Sequence, residues 1–519
     1  DPNNYPVGQV TLAHNQYTHQ MTETMGRWTG DVGPGRLEGL LGVDWQQRNT
    51  QYNSLLSSGY PNDISLNAGV GATSYIPMSN TVPYRYAALF GRANYNVANK
   101  YLVTASWRRD GSSRLGNQEP YGDFWALGGA WVFSEERFLA ADTGIINFGK
   151  IRASYGTTGN EPNEDNQFME VYTSSLPSRG YQGLQGLRPT TLGNQQLQWE
   201  MNYREELALE MELFHHRLWF SVAGSRSWTD NQLIIMKAGP VAGINKVLMN
   251  QPGINVENRA LEIELQANKV ALGPVNWTSA VMLTVPRNKL AAWPGLAGTS
   301  YSNTYVIGHS LTTSQNYHWT GVDPKTGYYS FQTNNPNGSP GPFDVAPNSG
   351  LDPKYYAGWS NSFRMGNWQL DVLLDYRRQQ GYNPLVILAQ QHAPGSQAPL
   401  QLSNGPVEWL DHWRKTGDVT RQQRVTSGAD TLALTRLYDY TASDAWSMDA
   451  SYLRLRNMTL SWHLPEGMAK KWKLQGARIY VSGRNLLTVT KFPVADPETQ
   501  NPTVLPPLRT VIAGLRVNF

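Results

Sequence analysis

Paired carboxylates are the first residues in this sequence whose spacing suggests chemistry. Glu210 and Glu212 lie two positions apart, and Glu262 and Glu264 repeat that spacing. Glycoside hydrolysis uses two carboxylates that flank the scissile bond, so such pairs could belong to a glycan-cleaving enzyme. Residues two apart in a β-strand also share one face, and a polar strand face that lines a water-filled interior explains the same pattern. We favour this second interpretation and predict no catalytic residue.

Other reactive residue types are sparse. The chain has no cysteine, which excludes disulfides, thiolate metal sites and cysteine nucleophiles. The histidine pair His215 and His216 falls in a predicted tight turn. No phosphate loop, dinucleotide fingerprint, nucleophile elbow or zinc-protease motif occurs, and the segment 334–339 (NNPNGS) carries no acidic residue. The sequence therefore predicts no metal, no cofactor and no enzymatic activity.

The carboxylates belong to segments whose hydrophobic period is two. In 207–213 and in 261–267, apolar residues alternate with polar or small ones. This alternation predicts β-strands that have one apolar and one polar face. Fifteen strands are predicted in this way, at residues 17–28, 35–47, 84–97, 101–110, 122–133, 147–157, 202–214, 217–229, 255–269, 275–288, 354–365, 367–379, 451–463, 475–489 and 508–519.

Composition narrows the class of protein. The 519 residues contain 43 Lys and Arg against 40 Asp and Glu, and charged residues make up 16% of the chain, below the roughly 25% of soluble domains. Aromatic residues make up 11%, which argues against disorder. No apolar run is long enough for a transmembrane helix. No block of basic residues predicts binding to nucleic acid.

The strands have the dimensions and the spacing of a transmembrane barrel. Strands of this length, at about 3.3 Å per residue and a tilt near 45°, cross a bilayer. Short connections alternate with long ones, which cover 48–83, 158–201, 289–353 and 380–450. Tryptophans near strand ends resemble an aromatic girdle: Trp28, Trp45, Trp228, Trp359, Trp368 and Trp462. We therefore predict an all-β fold, a transmembrane antiparallel β-barrel with long extracellular loops and short periplasmic turns.

The last predicted strand ends on an aromatic residue. Phe519 shares one strand face with Val511, Ala513, Leu515 and Val517. A terminal aromatic on an alternating strand is typical of bacterial barrels that the outer-membrane assembly machinery recognises. Phe519 is therefore predicted to be an assembly signal.

The two longest connections are rich in aromatic and amide side chains, which suit stacking on sugars or holding peptides. The candidate substrate-binding residues are Tyr317, Trp319, Tyr328, Tyr329, Trp409 and Trp413. An alternative interpretation is that these rings only pack small cores inside the loops themselves.

Several segments, in order along the chain, resemble one known family. They are Phe90–Tyr95 (FGRANY), Tyr101–Arg114 (YLVTASWRRDGSSR), Lys150–Asn160 (KIRASYGTTGN), Leu197–Glu200 (LQWE), Ser451–Asn457 (SYLRLRN), Arg484–Thr488 (RNLLT) and Asp496–Glu498 (DPE). In all of them the sequence resembles SusC/RagA-type TonB-dependent outer-membrane transporters of Bacteroidetes. The segment Asn255–Glu262 (NVENRALE) is similar to a strand entry of that family, but Arg259 stands where glycine is usual.

The resemblance implies a nutrient importer of the bacterial outer membrane, driven by TonB and working with a SusD-like surface lipoprotein. Members of the family have a signal peptide, an N-terminal extension, a plug domain and a barrel of about 22 strands. Residues 1–519 would then be the C-terminal part of such a barrel, about 15 strands of it. The missing N-terminal part of the barrel and the plug, which contacts TonB, would precede it. Oligosaccharides are the expected substrates, and peptides are the alternative within the family.

Two other classes stay open at this point. A soluble or surface β-rich protein, either a glycan-acting enzyme or an adhesin, would expose a second sheet face to water. A passive porin would share the barrel but would not depend on TonB. Extraction by buffer alone would identify the first class, and transport without TonB would identify the second.

Overall fold

The structure, a computed structural model, describes residues 8–139, 145–174, 186–237, 246–392, 407–425, 430–493 and 495–519. The strands are β1 (Gln9–Val32), β2 (Gly35–Ser58), β3 (Ser74–Val97), β4 (Tyr101–Ser112), β5 (Tyr121–Trp131), β6 (Ile146–Asn160), β7 (Val171–Ser174), β8 (Leu187–Thr191), β9 (Glu200–Leu213), β10 (Leu218–Asp230), β11 (Gln232–Lys237), β12 (Lys246–Gln251), β13 (Asn255–Leu272), β14 (Val275–Ala292), β15 (Gln315–Tyr317), β16 (Trp319–Val322), β17 (Tyr329–Phe331), β18 (Val345–Pro347), β19 (Tyr355–Met365), β20 (Trp368–Arg378), β21 (Gln380–Tyr382), β22 (Ser447–Asp449), β23 (Tyr452–His463), β24 (Gly476–Thr490) and β25 (Thr510–Asn518). The α-helices are α1 (Asp63–Ala68), α2 (Pro384–His392), α3 (Thr431–Thr441) and α4 (Glu466–Lys471).

One sheet of fifteen strands dominates the described residues. Its order is β1-β2-β3-β4-β5-β6-β9-β10-β13-β14-β19-β20-β23-β24-β25, and the remaining strands form two-stranded sheets within the connections. All fifteen strands predicted from the sequence are present in this sheet. No helix in the described ranges has the length and apolarity needed to cross a membrane.

Three hairpins of the sheet turn on two residues, and each begins its turn with glycine. Gly33, Gly273 and Gly366 have φ values of 57°, 62° and 55°, and the flanking residues pair directly, as Val32 does with Gly35. Primed two-residue turns need a positive φ at the first position, which glycine adopts without steric cost. These glycines therefore fix the short turns and the strand registers beside them.

The first three strands are longer than the sequence predicted. Each has 24 residues, and the pairing of β2 with β3 runs unbroken from Gly35 and Val97 to Ser58 and Ser74. Of the added residues, 48–58 are mostly Gln, Asn, Ser and Thr, and 74–83 mix such residues with apolar ones and two prolines, so neither segment has a regular apolar alternation. Backbone pairing extends the strands beyond their apolar faces, so the hydrophobic period could not reveal those ends.

Facing residues on neighbouring strands keep the predicted alternation. Leu261 and Leu265 of β13 pair with Val285 and Val281 of β14, while Glu262 and Glu264 occupy the opposite face. Leu261 and Leu265 are each 42% exposed. Burial of such side chains in an apolar medium is strongly favourable, so this exposed apolar face fits contact with lipid.

The chain divides into two compact units. The first comprises Asp1–Gly129, Ser154–Arg204 and Thr229–Gly253, and the second comprises Ala130–Ala153, Glu205–Trp228 and Ile254–Phe519. A buried cluster in the first unit consists of Leu115, Phe124, Leu197 and Trp199. A buried cluster in the second unit consists of Tyr329, Phe331, Val386, Tyr440 and Ala445.

Candidate functional site

The candidate substrate-binding residues lie in two long links of the second unit, 293–354 between β14 and β19, and 379–451 between β20 and β23. We call the described residues of these two links the loop body. In the first link β15 pairs with β18 and β16 with β17, and in the second β21 pairs with β22. The second link also carries α2 and α3. Links of this length are therefore folded structures in their own right.

An aromatic core joins the two links. Tyr329 of β17 and Tyr440 of α3 stack with centroids 4.2 Å apart and an interplanar angle of 10°. Trp319 packs edge-on against Tyr440 at 5.3 Å. The Tyr329 hydroxyl donates a 2.6 Å hydrogen bond to Gln422. Tyr329 and Tyr440 are only 3% and 4% exposed, so these rings hold the links together.

Polar contacts reinforce the same junction. Asp444 accepts a hydrogen bond from the Trp319 backbone N–H at 3.0 Å, and its other carboxylate oxygen lies 2.6 Å from Nδ1 of His318. The Trp446 indole donates to Asn316 at 2.7 Å. Each of these bonds joins residues about 125 or more positions apart in sequence, so they form only when both links fold together.

A second aromatic group lies beside that core. The Arg424 guanidinium stands 5.5 Å from the Tyr328 ring and 5.7 Å from the Trp413 ring, within the range of a cation–π contact. Gly327 has φ +77°, and a Cβ there would lie 2.4 Å from the Trp413 ring. Only glycine fits this position, because both the backbone angle and the ring exclude a side chain.

The structure thus separates the six candidate residues. Tyr317, Trp319 and Tyr329 belong to the aromatic core, as the packing alternative supposed. Tyr328 and Trp413 share Arg424 and are partly exposed. Trp409 lies in the 3-10 helix Val407–Leu410, and its buried indole nitrogen has no hydrogen-bond partner among the described residues. A substrate-binding role stays a prediction for all six. Tyr329 is buried and the other five are partly exposed; of these, Tyr328 and Trp413 are the two that flank the Arg424 guanidinium.

Burial and helix capping shift the pKa values of several tyrosine and aspartate side chains in the loop body. Burial raises the pKa of Tyr440 to about 12 and also raises the pKa of Tyr329, so both phenols stay neutral. The Ala433 backbone N–H lowers the pKa of Asp430, which caps the start of α3. Burial raises the pKa of Asp439, and nearby Arg436 only partly opposes this effect.

Sequence reasoning missed several residues of this site, among them Tyr440, Trp446 and Arg424. One local signal was available, because Asp430 stands directly before the helix-forming stretch of α3 and is a favoured N-cap residue. Tyr440 packs against Tyr329 of the other link, and Trp446 bonds to Asn316 of the other link. No local pattern encodes these pairings.

An ion network brings two of the resembling segments together. Arg454, which is 1% exposed, bonds to Asp496 and lies 2.7 Å from Glu498. Arg456 contacts Glu498 and Asp375, each at 2.7 Å, and its guanidinium lowers the pKa of Glu498. The SYLRLRN strand therefore anchors the DPE segment of the link 491–509.

Two of the four carboxylates that could have suggested hydrolysis, Glu210 and Glu212, are engaged in ion pairs. Glu210 lies 2.7 Å from Lys150 and 2.8 Å from Arg152, and Arg152 also bonds to Glu206. Glu212 lies 2.8 Å from His216. In the described part of the chain, no group of three or more His, Cys, Asp or Glu side chains is arranged to hold a metal ion.

Comparison with known proteins shows what the chain is similar to. No protein-family profile matches the chain. The chain is 26% identical to the TonB-dependent receptor P3 of Formosa agariphila, over 95% of the chain and 50% of that protein. It is 25% identical to the TonB-dependent receptor SusC of Bacteroides thetaiotaomicron, over 86% of the chain and 44% of that protein. A solved structure of the RagAB peptide transporter matches 99% of the chain and 57% of its own, with a TM-score of 0.82 and 20% identity.

The fold is therefore similar to that of the outer-membrane β-barrels of TonB-dependent receptors, and the predicted fold class and outer-membrane location are confirmed. Within that class, the resemblance to SusC/RagA-type transporters is confirmed as well. These relatives are receptors and transporters, which supports the prediction of a non-enzymatic protein. The chain spans about half the length of the curated relatives it matches.

Proposed function

We propose that this chain forms the C-terminal part of the barrel of a TonB-dependent importer that carries an oligosaccharide across the outer membrane. The observation that carries the proposal is the similarity to TonB-dependent receptors over 95% of the chain. The exposed apolar strand face and the folded extracellular links agree with it. The chain supplies barrel wall and loops, and it catalyses no reaction.

The remainder of the barrel and the plug come from sequence outside this chain. Two observations support this part of the proposal. The chain covers only 44–57% of the relatives just named. In the described sheet, β1 pairs only with β2 and β25 only with β24, which leaves two strands with an unpaired edge, and a membrane barrel must close such edges. TonB acts on the plug and not on this chain.

The loop body captures the substrate at the cell surface together with a SusD-like lipoprotein. The partly exposed rings of Tyr328 and Trp413 form the stacking surface, and Arg424 between them adds hydrogen-bond donors. Carbohydrate recognition commonly combines a flat apolar face with a few polar groups. Co-purification of a lipid-anchored protein in mild detergent tests the partner, and repeated isolation of the barrel alone with intact loops would contradict it.

Uptake of labelled oligosaccharide by cells tests the function. We expect uptake to disappear when TonB is deleted and to fall several-fold in Trp413→Ala. The matched control is Trp472→Ala, a tryptophan that is exposed beside α4 and outside the loop body. Uptake that persists without TonB would instead identify a passive porin.

Peptide import is the second candidate, because the structural match with a TM-score of 0.82 is to a protein named a peptide transporter. Protection from proteolysis separates the two candidates. If peptide mixtures, and not oligosaccharides, protect the loop body from proteolysis, the substrate is a peptide.

A further inference from the structure

Three arginines stand side by side on the outer end of three neighbouring strands of the second unit. Arg226 of β10 is paired with Arg259 of β13, and Arg259 is paired with Arg287 of β14. Residues directly opposite one another on antiparallel strands have Cβ atoms about 4.5–5.5 Å apart on the same face. We call these three residues the arginine row.

The arginine row continues the apolar face of the same strands. Successive rows below it on that face are Gly224–Leu261–Val285, Val222–Ile263–Leu283 and Phe220–Leu265–Val281. At about 3.3 Å per residue and a tilt near 40°, the row lies about 15 Å above Leu265 along the membrane normal. β14 then leads into the long link 293–354, so the row lies at the extracellular edge of the apolar band.

The protein neutralises this row only in part. Buried Glu257 lies 2.7 Å from Arg226, 3.0 Å from Arg259 and 3.2 Å from Lys289. Glu205 is the second carboxylate and lies 3.7 Å from Arg226. Three arginines and one lysine thus face two carboxylates, which leaves an excess of two positive charges.

Arg287 accounts for much of this excess. Its guanidinium donates to the carbonyl oxygens of Pro286 at 2.6 Å and Lys354 at 2.8 Å, and it forms no salt bridge within the described ranges. Arg287 and Arg259 are both exposed. Their guanidinium groups therefore remain open to an external anion.

Internal stability does not explain the row. Like charges directly opposite one another on paired strands are destabilising, and the row contains two such pairs. An anion from outside the chain that bridges the guanidinium groups would remove the repulsion.

We propose that the arginine row, with Lys289, binds the phosphorylated headgroup of an outer-leaflet glycolipid. Guanidinium groups bind phosphate through two parallel hydrogen bonds, and clusters of Arg and Lys beside a membrane span bind anionic lipid headgroups. The acyl chains lie along the apolar rows below, and Arg226 keeps its contact with the Trp228 ring at 5.0 Å. The site lies on the strand wall, where Arg287 meets the loop body at the Lys354 carbonyl oxygen, and it does not depend on the identity of the transported substrate.

Native mass spectrometry of the transporter purified with its full chain tests the proposal. The probes are a bisphosphorylated disaccharide glycolipid and the same lipid after phosphatase treatment. We expect the phosphorylated lipid to bind and the treated lipid to bind at least tenfold more weakly. The double variant Arg259→Gln/Arg287→Gln removes two charge-assisted contacts, so its affinity should fall about 100-fold, at about tenfold for each contact.

The matched control is Lys269→Gln/Arg364→Gln. It removes the same charge near the C-terminal ends of β13 and β19, at the edge of the sheet away from the arginine row. It should bind the phosphorylated lipid as the unmodified protein does, and heat-modifiable gel migration should show that both double variants are folded. Equal affinity in the two double variants would overturn the proposal. So would displacement of the lipid by an equal concentration of inorganic phosphate, because the site would then be specific for the ion and not for the lipid.

Discussion

The strand wall and the loop body use apolar side chains in opposite ways. On β13, Leu261 and Leu265 are 42% exposed, yet they form a regular apolar face. In the loop body, Tyr329 and Tyr440 are almost completely buried against each other. The partner of the wall residues is the membrane, whereas the partner of the loop residues is another part of the same chain.

This difference decides what each region requires of its sequence. Lipid has no fixed shape, so the wall needs only apolar character at every second residue. The loop body is packed like the interior of a soluble protein, where the volume and shape of each side chain count. Equal substitutions should therefore have unequal effects in the two regions.

The largest effect is expected in the loop body from Tyr440→Ala. This change removes the ring that stacks on Tyr329 and packs against Trp319. An aromatic-to-alanine change in a core costs about 3–5 kcal/mol, enough to open the loop body. Limited proteolysis should cleave the links 293–354 and 379–451 much faster, while heat-modifiable migration of the barrel stays normal.

Tyr438→Ala is the matched control for that change. Tyr438 lies in the same helix, α3, but is 74% exposed, so proteolysis should be close to that of the unmodified protein. If both variants are cleaved equally fast, the aromatic core does not hold the links together.

The next effect compares one kind of substitution in the two regions. Leu265→Arg places a charge on the lipid face and should cost about 2–4 kcal/mol near mid-bilayer. Leu265→Trp adds volume where no fixed packing exists and should cost close to nothing. Val386→Trp adds volume to the aromatic core of the loop body, where Val386 is buried and overpacking costs about 1–3 kcal/mol.

Barrel assembly on heat-modifiable gels and proteolysis of the links measure these three variants. The comparison fails if Leu265→Trp impairs assembly as strongly as Leu265→Arg, because Leu265 would then pack against protein. Normal protease resistance in Val386→Trp would likewise show that the aromatic core of the loop body is not tightly packed.

The same contrast explains how far the sequence alone could reach. Alternation located every strand of the main sheet, because the two faces of the wall meet different environments. It missed residues 48–58 and 74–83, where polar residues and prolines interrupt the apolar alternation and backbone pairing continues β2 and β3. It also gave no partner for Tyr329, since Tyr440 is more than a hundred positions away.

The candidate site was predictable to a smaller extent. Aromatic enrichment drew attention to the links that carry the aromatic core, but it did not distinguish buried Tyr329 from its neighbour Tyr328, which contacts Arg424. Arg454 and Asp496 were noticed only through family resemblance, and their contact depends on how the link 491–509 folds back on β23.

A smaller effect is expected at the end of the wall. Phe519 is exposed and follows the last residue of β25, so it adds no internal packing among the described residues. Deleting Phe519 should lower the amount of assembled protein several-fold through a weaker assembly signal, without changing the thermal unfolding of molecules that do assemble. Phe519→Tyr keeps the aromatic ring and should restore the amount. Equal amounts of all three proteins would rule out the assembly role.

The smallest effect concerns charge inside the loop body. Asp439 is buried, its Oδ2 has no hydrogen-bond partner among the described residues, and Arg436 is 3.9 Å away. Burial raises the pKa of Asp439 above its usual value, so the folded loop body binds a proton more tightly than the unfolded one. The stability from that proton is complete below the unfolded pKa of about 3.9 and is lost as the pH rises through the folded pKa.

Asp439→Asn removes this titration and keeps the shape of the side chain. We expect the variant to be more stable than the unmodified protein at neutral pH, because the buried carboxylate no longer has to ionise, and the difference to vanish as the pH falls below about 4. Hydrogen–deuterium exchange of the α3 amides, corrected for the intrinsic effect of pH on exchange, measures this. A variant that is less stable at neutral pH would mean that the Arg436–Asp439 attraction outweighs the cost of burying the carboxylate. In that case ion pairing would stabilise the loop body as it does the link anchored by Arg454, and the contrast between wall and loop body would rest on aromatic packing alone.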